Sequence, residues 1–388
     1  MANPTFSTLP ITIFTEMSGL AKALGAVNLG QGYPDDQGPE AVRAKAAEAV
    51  LHGDNQYPPM AGIPEVRQAV AAHYNRTQGL DLDWGGEVTV TSGATEALAA
   101  AFFGLIAPGD EVIVFQPFYD AYLPLIRRAG GVAKLVSLKP PHWRFDRAML
   151  EAAFSERTRF VVLNNPINPA GVVLPHEDLA LLAEFCVAHD VTAICDEVWE
   201  QVVFGNARHR PLLAYPGMRQ RCVKIGSAGK MFGLTGWKVG FLCAAPALTH
   251  TLSRAHQFLT FTTPPGLQAA VAWGLENCGE WFRDMPLGLE RSRDRLAAGL
   301  RREGFEVLAS QGTYFLTLDL PASGVHEPDR AFALRAVKEA GVGSIPVSAF
   351  YEQDPVASIL RLCFCKADAT LDAGVERLAK ARELSRRL

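Results

Sequence analysis

Three stretches of the chain are apolar without polar alternation: Glu111-Val112-Ile113-Val114-Phe115, Phe160-Val161-Val162-Leu163 and Val191-Thr192-Ala193-Ile194-Cys195. Cys222-Val223-Lys224-Ile225 is a weaker fourth. A strand with one wet face alternates, whereas a strand covered on both faces does not, as in a parallel sheet. Between these runs the period becomes helical. Leu179, Leu182 and Cys186 recur at spacings of three and four, and Pro64 opens a segment in which Val66, Val70 and Tyr74 share a face. Strands alternating with helices predict an α/β domain, a mostly parallel sheet between helices.

The alternation runs over 45–283, and the pattern then changes. A charged helical stretch carries Leu289, Leu296 and Leu300 on one face and ends at Gly304. Strands are expected near Thr313 to Leu318 and Ile359 to Phe364, followed by a last helix with Leu371, Val375 and Leu378. The expectation is a large domain over 45–283 and a smaller α+β domain built from 284–388, joined by residues 1–44 as an N-terminal arm. A length of 388 residues suits two such units.

Composition narrows the function. With 48% hydrophobic and 20% charged residues the chain is globular. Its net charge of -4, without a basic tract, offers no face for nucleic acid. Seven cysteines, at 186, 195, 222, 243, 278, 363 and 365, have neither zinc spacing nor the pattern of a disulfide framework, which points to a reducing compartment. Cys363 and Cys365 would share one strand face and read as small apolar core residues. No basic residue precedes Lys22, and the apolar stretch Ala97 to Gly109 is too short to span a bilayer. The expected location is the cytoplasm, without membrane contact.

Zincin spacing, a GxSxG elbow and a Walker A loop are absent; Gly226-Ser227-Ala228-Gly229-Lys230 ends in Gly-Lys, but Met231 stands where a Mg-binding hydroxyl is needed. The nine histidines contain no i, i+4 pair, so no metal site is expected. Polar residues instead collect at the carboxyl ends of the expected strands, where open α/β sheets bind ligands. Thr91-Ser92-Gly93-Ala94-Thr95 turns a strand into a helix, and the N–H groups of Ala94 and Thr95 could cradle an anion. Asn164-Asn165-Pro166-Ile167-Asn168-Pro169 is a turn-rich segment, and Asp196-Glu197 places carboxylates at the end of an apolar strand, costly unless a cation meets them. Lys230, among Gly, Ala, Met and Phe, has few routes to water; desolvation would lower its pKa and fit it for Schiff-base chemistry. Arg361, inside the apolar Ile359-Leu360-Arg361-Leu362-Cys363-Phe364, is either a snorkelling edge residue or a carboxylate clamp.

Taken in order, these segments resemble the fold-type I, pyridoxal phosphate dependent aminotransferases of class I/II, closest to the kynurenine, glutamine and methionine branch. The resemblance covers nearly the whole chain, from Val27-Asn28-Leu29-Gly30-Gln31-Gly32-Tyr33-Pro34 through Asn55-Gln56-Tyr57 and Gln116-Pro117-Phe118-Tyr119-Asp120 to Arg361-Leu362-Cys363-Phe364. It implies that Lys230 joins the cofactor, pyridoxal 5'-phosphate, and then moves the proton between substrate Cα and cofactor C4'. Asp196 would keep the pyridine nitrogen protonated, Asn168 would bond the 3'-oxygen and Tyr119 would stack on the ring. Ala94, Thr95, Ser227 and Lys238 would hold the phosphate, with Tyr57 reaching it from the neighbouring subunit of a homodimer. Arg361 would grip the substrate carboxylate, assisted by Asn168 and the Gly32 backbone.

One departure from the family pattern is Trp199 in Asp196-Glu197-Val198-Trp199, where a tyrosine is usual. Either its indole N–H replaces the hydroxyl contact to the 3'-oxygen or that contact is lost. Matched to the branch, Phe14, Tyr33, Phe261 and Phe350 are pocket candidates, and an aromatic pocket favours methionine, phenylalanine, leucine or kynurenine over aspartate. Two other functions share the scaffold: a C–S β-lyase that expels a leaving group from Cβ, and a non-catalytic cofactor-binding regulator.

Overall fold

The computed structural model describes residues 3–387. Its strands are β1 (Val27–Asn28), β2 (Val88–Thr91), β3 (Glu111–Gln116), β4 (Val132–Ser137), β5 (Thr158–Asn164), β6 (Thr192–Asp196), β7 (Cys222–Ser227), β8 (Gly240–Cys243), β9 (Glu306–Val307), β10 (Phe315–Asp319), β11 (Val342–Gly343), β12 (Ile345–Pro346) and β13 (Ile359–Cys363). Seven of them form one sheet in the order β2-β8-β7-β6-β5-β3-β4. Only β8 runs against its neighbours there.

The non-alternating runs are the middle of this sheet, and their two faces feed different cores. Val112 and Val114 of β3 enter one apolar cluster, while Ile113 and Phe115 enter the other; Ile194 of β6 opposes Ala193 and Cys195 in the same way. Helices supply the covering layers. Pro64–Gln78 starts on a proline, buries Val66, Val70 and Tyr74, and stops at Gly79, whose left-handed φ of 65° suits a residue without a Cβ. His176–Ala188 buries Leu179, Leu182 and Cys186, the expected stripe.

A second, antiparallel sheet has the order β12-β13-β10-β9. In it Arg361 of β13 lies between Thr317 of β10 and Ile345 of β12. The N-terminal segment is stitched to this region, because β1 pairs with β11 and the Cys363 N–H donates to Leu29 O at 2.7 Å. Among the described residues no helix is long and apolar enough to cross a membrane.

Candidate active site

Register brings the expected chemistry to one edge of the large sheet. Asn164 pairs with Asp196, Asp196 with Ile225, and both Thr91 and Ser227 face Gly240. The turns leaving β2, β5, β6 and β7 therefore emerge side by side. They enclose a cavity of about 170 Å³ lined by Ala94, Thr95, Tyr119, Asn168, Asp196, Trp199, Ser227, Lys230 and Lys238. Every cofactor contact expected from the sequence, apart from Tyr57, is in this wall.

One end of the cavity is built for an anion. Gly93 has φ 78° and no side chain caps the helix Ala94–Leu105, so the Ala94 and Thr95 N–H groups carry no protein acceptor. A Cβ on Gly93 would come within 3.2 Å of Lys238 Nζ, which shows how closely the ammonium approaches this turn. Ser227 stands beside it and caps the short helix Ala228–Met231, its Oγ accepting the Lys230 N–H at 3.3 Å.

The opposite wall holds a carboxylate. Asp196 is buried and receives the Tyr122 hydroxyl at 2.6 Å. Burial raises its carboxyl above the usual range, against the pull of Tyr122 and of the Lys230 charge. Asn164 braces the neighbouring backbone: its Nδ2 donates to Asp196 O at 3.0 Å, and its Oδ1 accepts the Asn168 N–H at 2.7 Å. Between the two ends sits Lys230, its Nζ 4.7 Å from the centre of the Trp199 ring. Desolvation brings this amine down to about 8. Its backbone is held too, since the Tyr314 hydroxyl donates to Lys230 O at 3.2 Å and the Trp281 indole to Met231 O at 2.8 Å.

Arg361 is buried, not a snorkelling edge residue. Its Nη1 donates to Asn168 Oδ1 at 3.0 Å and its Nη2 to Gly30 O at 2.7 Å, while Nε has no partner among the described residues. The guanidinium lies 3.9 Å from the Phe315 ring centre, with Phe14 and Phe350 at 5.1 and 5.3 Å. Burial lowers it to about 9. Gly32 completes this corner, because a Cβ there would lie 2.5 Å from Phe315 Cζ.

Three expected residues stand apart. Tyr57 is 85% exposed and meets Phe261 edge-on at 5.5 Å, and Phe261 is itself exposed. Tyr33 is exposed beside Lys366, whose Nζ lies 4.5 Å from its ring centre. None of the three lines the cavity, and neither do Arg361, Gly32, Phe14 and Phe350, which form the corner that Asn168 joins to it. Conversely, sequence alone does not single out Tyr122, Tyr314 and Phe315, which contact Asp196, the Lys230 backbone and Arg361. Their signal is position: Tyr122 lies three residues after Tyr119 at the head of a helix, Phe315 opens β10, the strand paired with that of Arg361, and Tyr314 immediately precedes it.

The donor set suits pyridoxal 5'-phosphate. Open N–H groups, a hydroxyl and an ammonium at one end match a phosphate; a buried carboxylate matches a pyridinium; a lysine of lowered pKa lies between them and matches an aldehyde. Arg361 retains an unpartnered buried donor for a further anion.

Comparison with known proteins agrees. Residues 25–378 match the aminotransferase class I and II family. A probable N-succinyldiaminopimelate aminotransferase of Mycobacterium tuberculosis is 43% identical over 385 residues, covering 96% of both chains. The methionine aminotransferase of Escherichia coli is 41% identical, covering 95% of this chain and 96% of its own. The solved structure of the Mycobacterium tuberculosis N-succinyldiaminopimelate aminotransferase superposes with a TM-score of 0.95 at 42% identity, covering 98% of this chain and 100% of that one. With its sheet order, its strand-end cavity and matches along nearly its whole length, the chain belongs to the class I and II aminotransferases, enzymes that move amino groups with pyridoxal 5'-phosphate.

Proposed function

We propose that the protein transfers the amino group of a large neutral L-amino acid, such as methionine, leucine, an aromatic amino acid or kynurenine, to a 2-oxo acid. The observation that carries this reading is that Lys230, Asp196 and the Ala94–Thr95 turn share one cavity, with Arg361 held at its border by Asn168. Apolar rings support the substrate class: Phe14, Phe315 and Phe350 surround Arg361, and Lys366, a further cation nearby, is already paired with Asp35 at 3.0 Å. A side-chain carboxylate would have to compete with Asp35 for Lys366. Likeness to a named methionine aminotransferase points the same way.

When bound, pyridoxal 5'-phosphate supplies an electron sink that weakens the Cα–H bond of a joined amino acid. The residues of the chain do the rest. Ala94, Thr95, Ser227 and Lys238 hold the phosphate, and Tyr57, exposed here, serves the site of a second copy in a homodimer. Asp196 would keep the ring nitrogen protonated, Tyr119 would stack on the ring, and Asn168, whose Oδ1 accepts from Arg361, would have its Nδ2 left to donate to the 3'-oxygen. Arg361 and the Gly32 backbone fix the substrate carboxylate, which orients Cα–H toward Lys230. At about 8 the Lys230 amine is partly neutral at physiological pH, so it can take the Cα proton and deliver it to C4'. Phe14 and Phe350, 5.7 Å apart, wall the side-chain pocket. Trp199 bears on Lys230 through its ring face.

The same reading divides the chain into a large cofactor-binding unit, 45–283, and a small unit with an N-terminal arm, 1–44 and 284–388. Both junctions fall inside helices, Glu40–His52 and Gly279–Arg302, and residues 1, 2 and 388 lie outside the described range. All seven cysteines are free, which supports a cytoplasmic location.

The test is the visible spectrum of the purified protein before and after L-methionine is added without a 2-oxo acid. The expected result is a yellow band replaced by the near-ultraviolet band of the aminated cofactor. A band that persists while pyruvate forms from cystathionine would make the enzyme a C–S lyase instead. Equal turnover of aspartate and methionine would refute the substrate class.

A further inference from the structure

Cys363 and Cys365 leave the thiols of this chain in an unusual position. Their Sγ atoms lie 3.2 Å apart at the end of β13, two residues beyond Arg361. Cys363 is sealed, but Cys365 borders an open groove of about 660 Å³ with Asp36, Trp281, Leu289, Tyr314 and Lys366. Cys195 and Cys222 are also close, at 3.6 Å, yet both are fully buried in the middle of the large sheet, and neither lines that groove.

We propose that Cys363 and Cys365 form a reversible dithiol/disulfide site, oxidised by a small hydroperoxide entering through this groove, whose closure slows the transaminase. Burial opposes charge on Cys363, but the hydrogen bond with Cys365 and the nearby Lys366 and Arg361 cations carry its thiol below the ordinary value. The proton of the 3.2 Å Sγ–Sγ contact can sit on either sulfur, so in the first step the thiolate reacts at Cys365, which borders the groove: it attacks one peroxide oxygen, the O–O bond breaks, hydroxide leaves and a sulfenic acid remains. In the second the other thiol attacks that sulfur, the S–S bond forms, and the hydroxyl leaves with the thiol proton as water. With hydrogen peroxide, two thiols are oxidised and one peroxide is reduced to two waters.

The closed form is strained, and the strain supplies the coupling. The sulfurs lie 3.2 Å apart and a bridge needs about 2.0 Å, so the peptide on either side of Phe364 must bend to close it. That peptide is tied on every side. The Cys363 N–H donates to Leu29 O at 2.7 Å, the Phe364 N–H to Tyr314 O at 2.9 Å, and Cys365 O accepts the Asp35 N–H at 3.2 Å. Tyr314 in turn holds the Lys230 carbonyl, so a bend at Phe364 reaches Lys230 on one side and Arg361 on the other. Strained bridges of this kind are readily reduced, which suits a reversible site.

The effect on turnover rests on the roles proposed for Lys230 and Arg361, whereas the bridge itself does not. The experiment exposes the holoenzyme to hydrogen peroxide, then reads the tryptic peptide 362–366, which carries both thiols, by mass and follows kcat/KM. The expected result is a peptide lighter by two hydrogens and a fall of about tenfold in kcat/KM, both reversed by dithiothreitol. Cys365→Ser should show neither the bridge nor the reversible loss, and Cys195→Ser should behave as wild type. A bridge found between Cys195 and Cys222, an equal loss in Cys365→Ser, or a closed peptide with unchanged turnover would each overturn the proposal. The peptide mass scores the bridge even where the reading of turnover fails.

Discussion

Replacing Arg361 by lysine keeps the charge and removes the fork, which makes it a sharp test of how the substrate is held. The guanidinium has five N–H donors, and the two fixed contacts, to Asn168 and to Gly30, leave Nε and further N–H groups for a carboxylate. A lysine ammonium cannot meet Asn168, Gly30 and both substrate oxygens from one point, and it loses the planar stack 3.9 Å above Phe315. Loss of one charge-assisted hydrogen bond costs about 1.5–3 kcal/mol, so kcat/KM for L-methionine should fall roughly 10- to 150-fold. The control is the amine of methionine that lacks the carboxylate, followed in a single half-reaction by the cofactor spectrum. Because it has nothing for Arg361 to grip, its rate should change by less than about twofold. If Arg361→Lys slows the amine as much as the amino acid, the residue supports the fold and does not bind the carboxylate.

Other expectations follow from the same geometry. Lys230→Ala should retain cofactor yet lose transamination by orders of magnitude; near-normal turnover would remove Lys230 from its role. Since the neutral amine is the nucleophile and its pKa is lowered to about 8, apoprotein should load cofactor faster as pH rises toward 8 and level off above it; a midpoint near that of free lysine, about 10.4, would contradict the desolvated site. Mixing inactive Lys230→Ala with Tyr57→Ala subunits, each impaired alone, should regenerate intact sites up to about a quarter of the total, given random dimers; no recovery after subunit exchange would place Tyr57 outside the neighbouring site. Lys224→Met should destabilise the protein by about 3–5 kcal/mol in urea unfolding, because Glu197 and Glu200 would stay buried without their cation; a loss below about 1 kcal/mol would show that the pair neutralises by other means.

The fold was legible where burial leaves a period in the sequence. The runs at 111–115 and 160–163 lie inside β3 and β5, and the leucines of 289–300 on the helix Gly279–Arg302. Short pairings were not legible, because two-residue strands such as β1 and β11 are too brief to show a period, and their partners lie more than three hundred residues apart. The cavity wall was legible because a polar residue that closes an apolar run is costly at a strand end unless a ligand or a partner meets it. Tyr122 and Tyr314 were hidden for the opposite reason: an aromatic residue at the start of a helix or strand is ordinary core until its hydroxyl finds a carboxylate or a carbonyl.

Asp196 and Glu197 show where sequence stops and geometry decides. Two adjacent acids after one apolar strand look equivalent, but only Asp196 lines the cavity, and Glu197 turns away to Lys224 at 2.6 Å. Burial works against both carboxylates. For Glu197 the Lys224 charge, with His209 beside it, overrides burial and holds the group down at about 2. Asp196 has no paired cation: burial wins over the downward pull of the Lys230 charge and pushes it upward, with the Tyr122 hydroxyl at 2.6 Å and the Val198 N–H at 3.5 Å as neutral donors. A carboxylate already satisfied has nothing to offer a ligand, whereas one left desolvated gains most when a positively charged ring nitrogen arrives beside it. The choice between the two acids is therefore made by Lys224, a residue on the next strand that touches only the one that does not line the cavity.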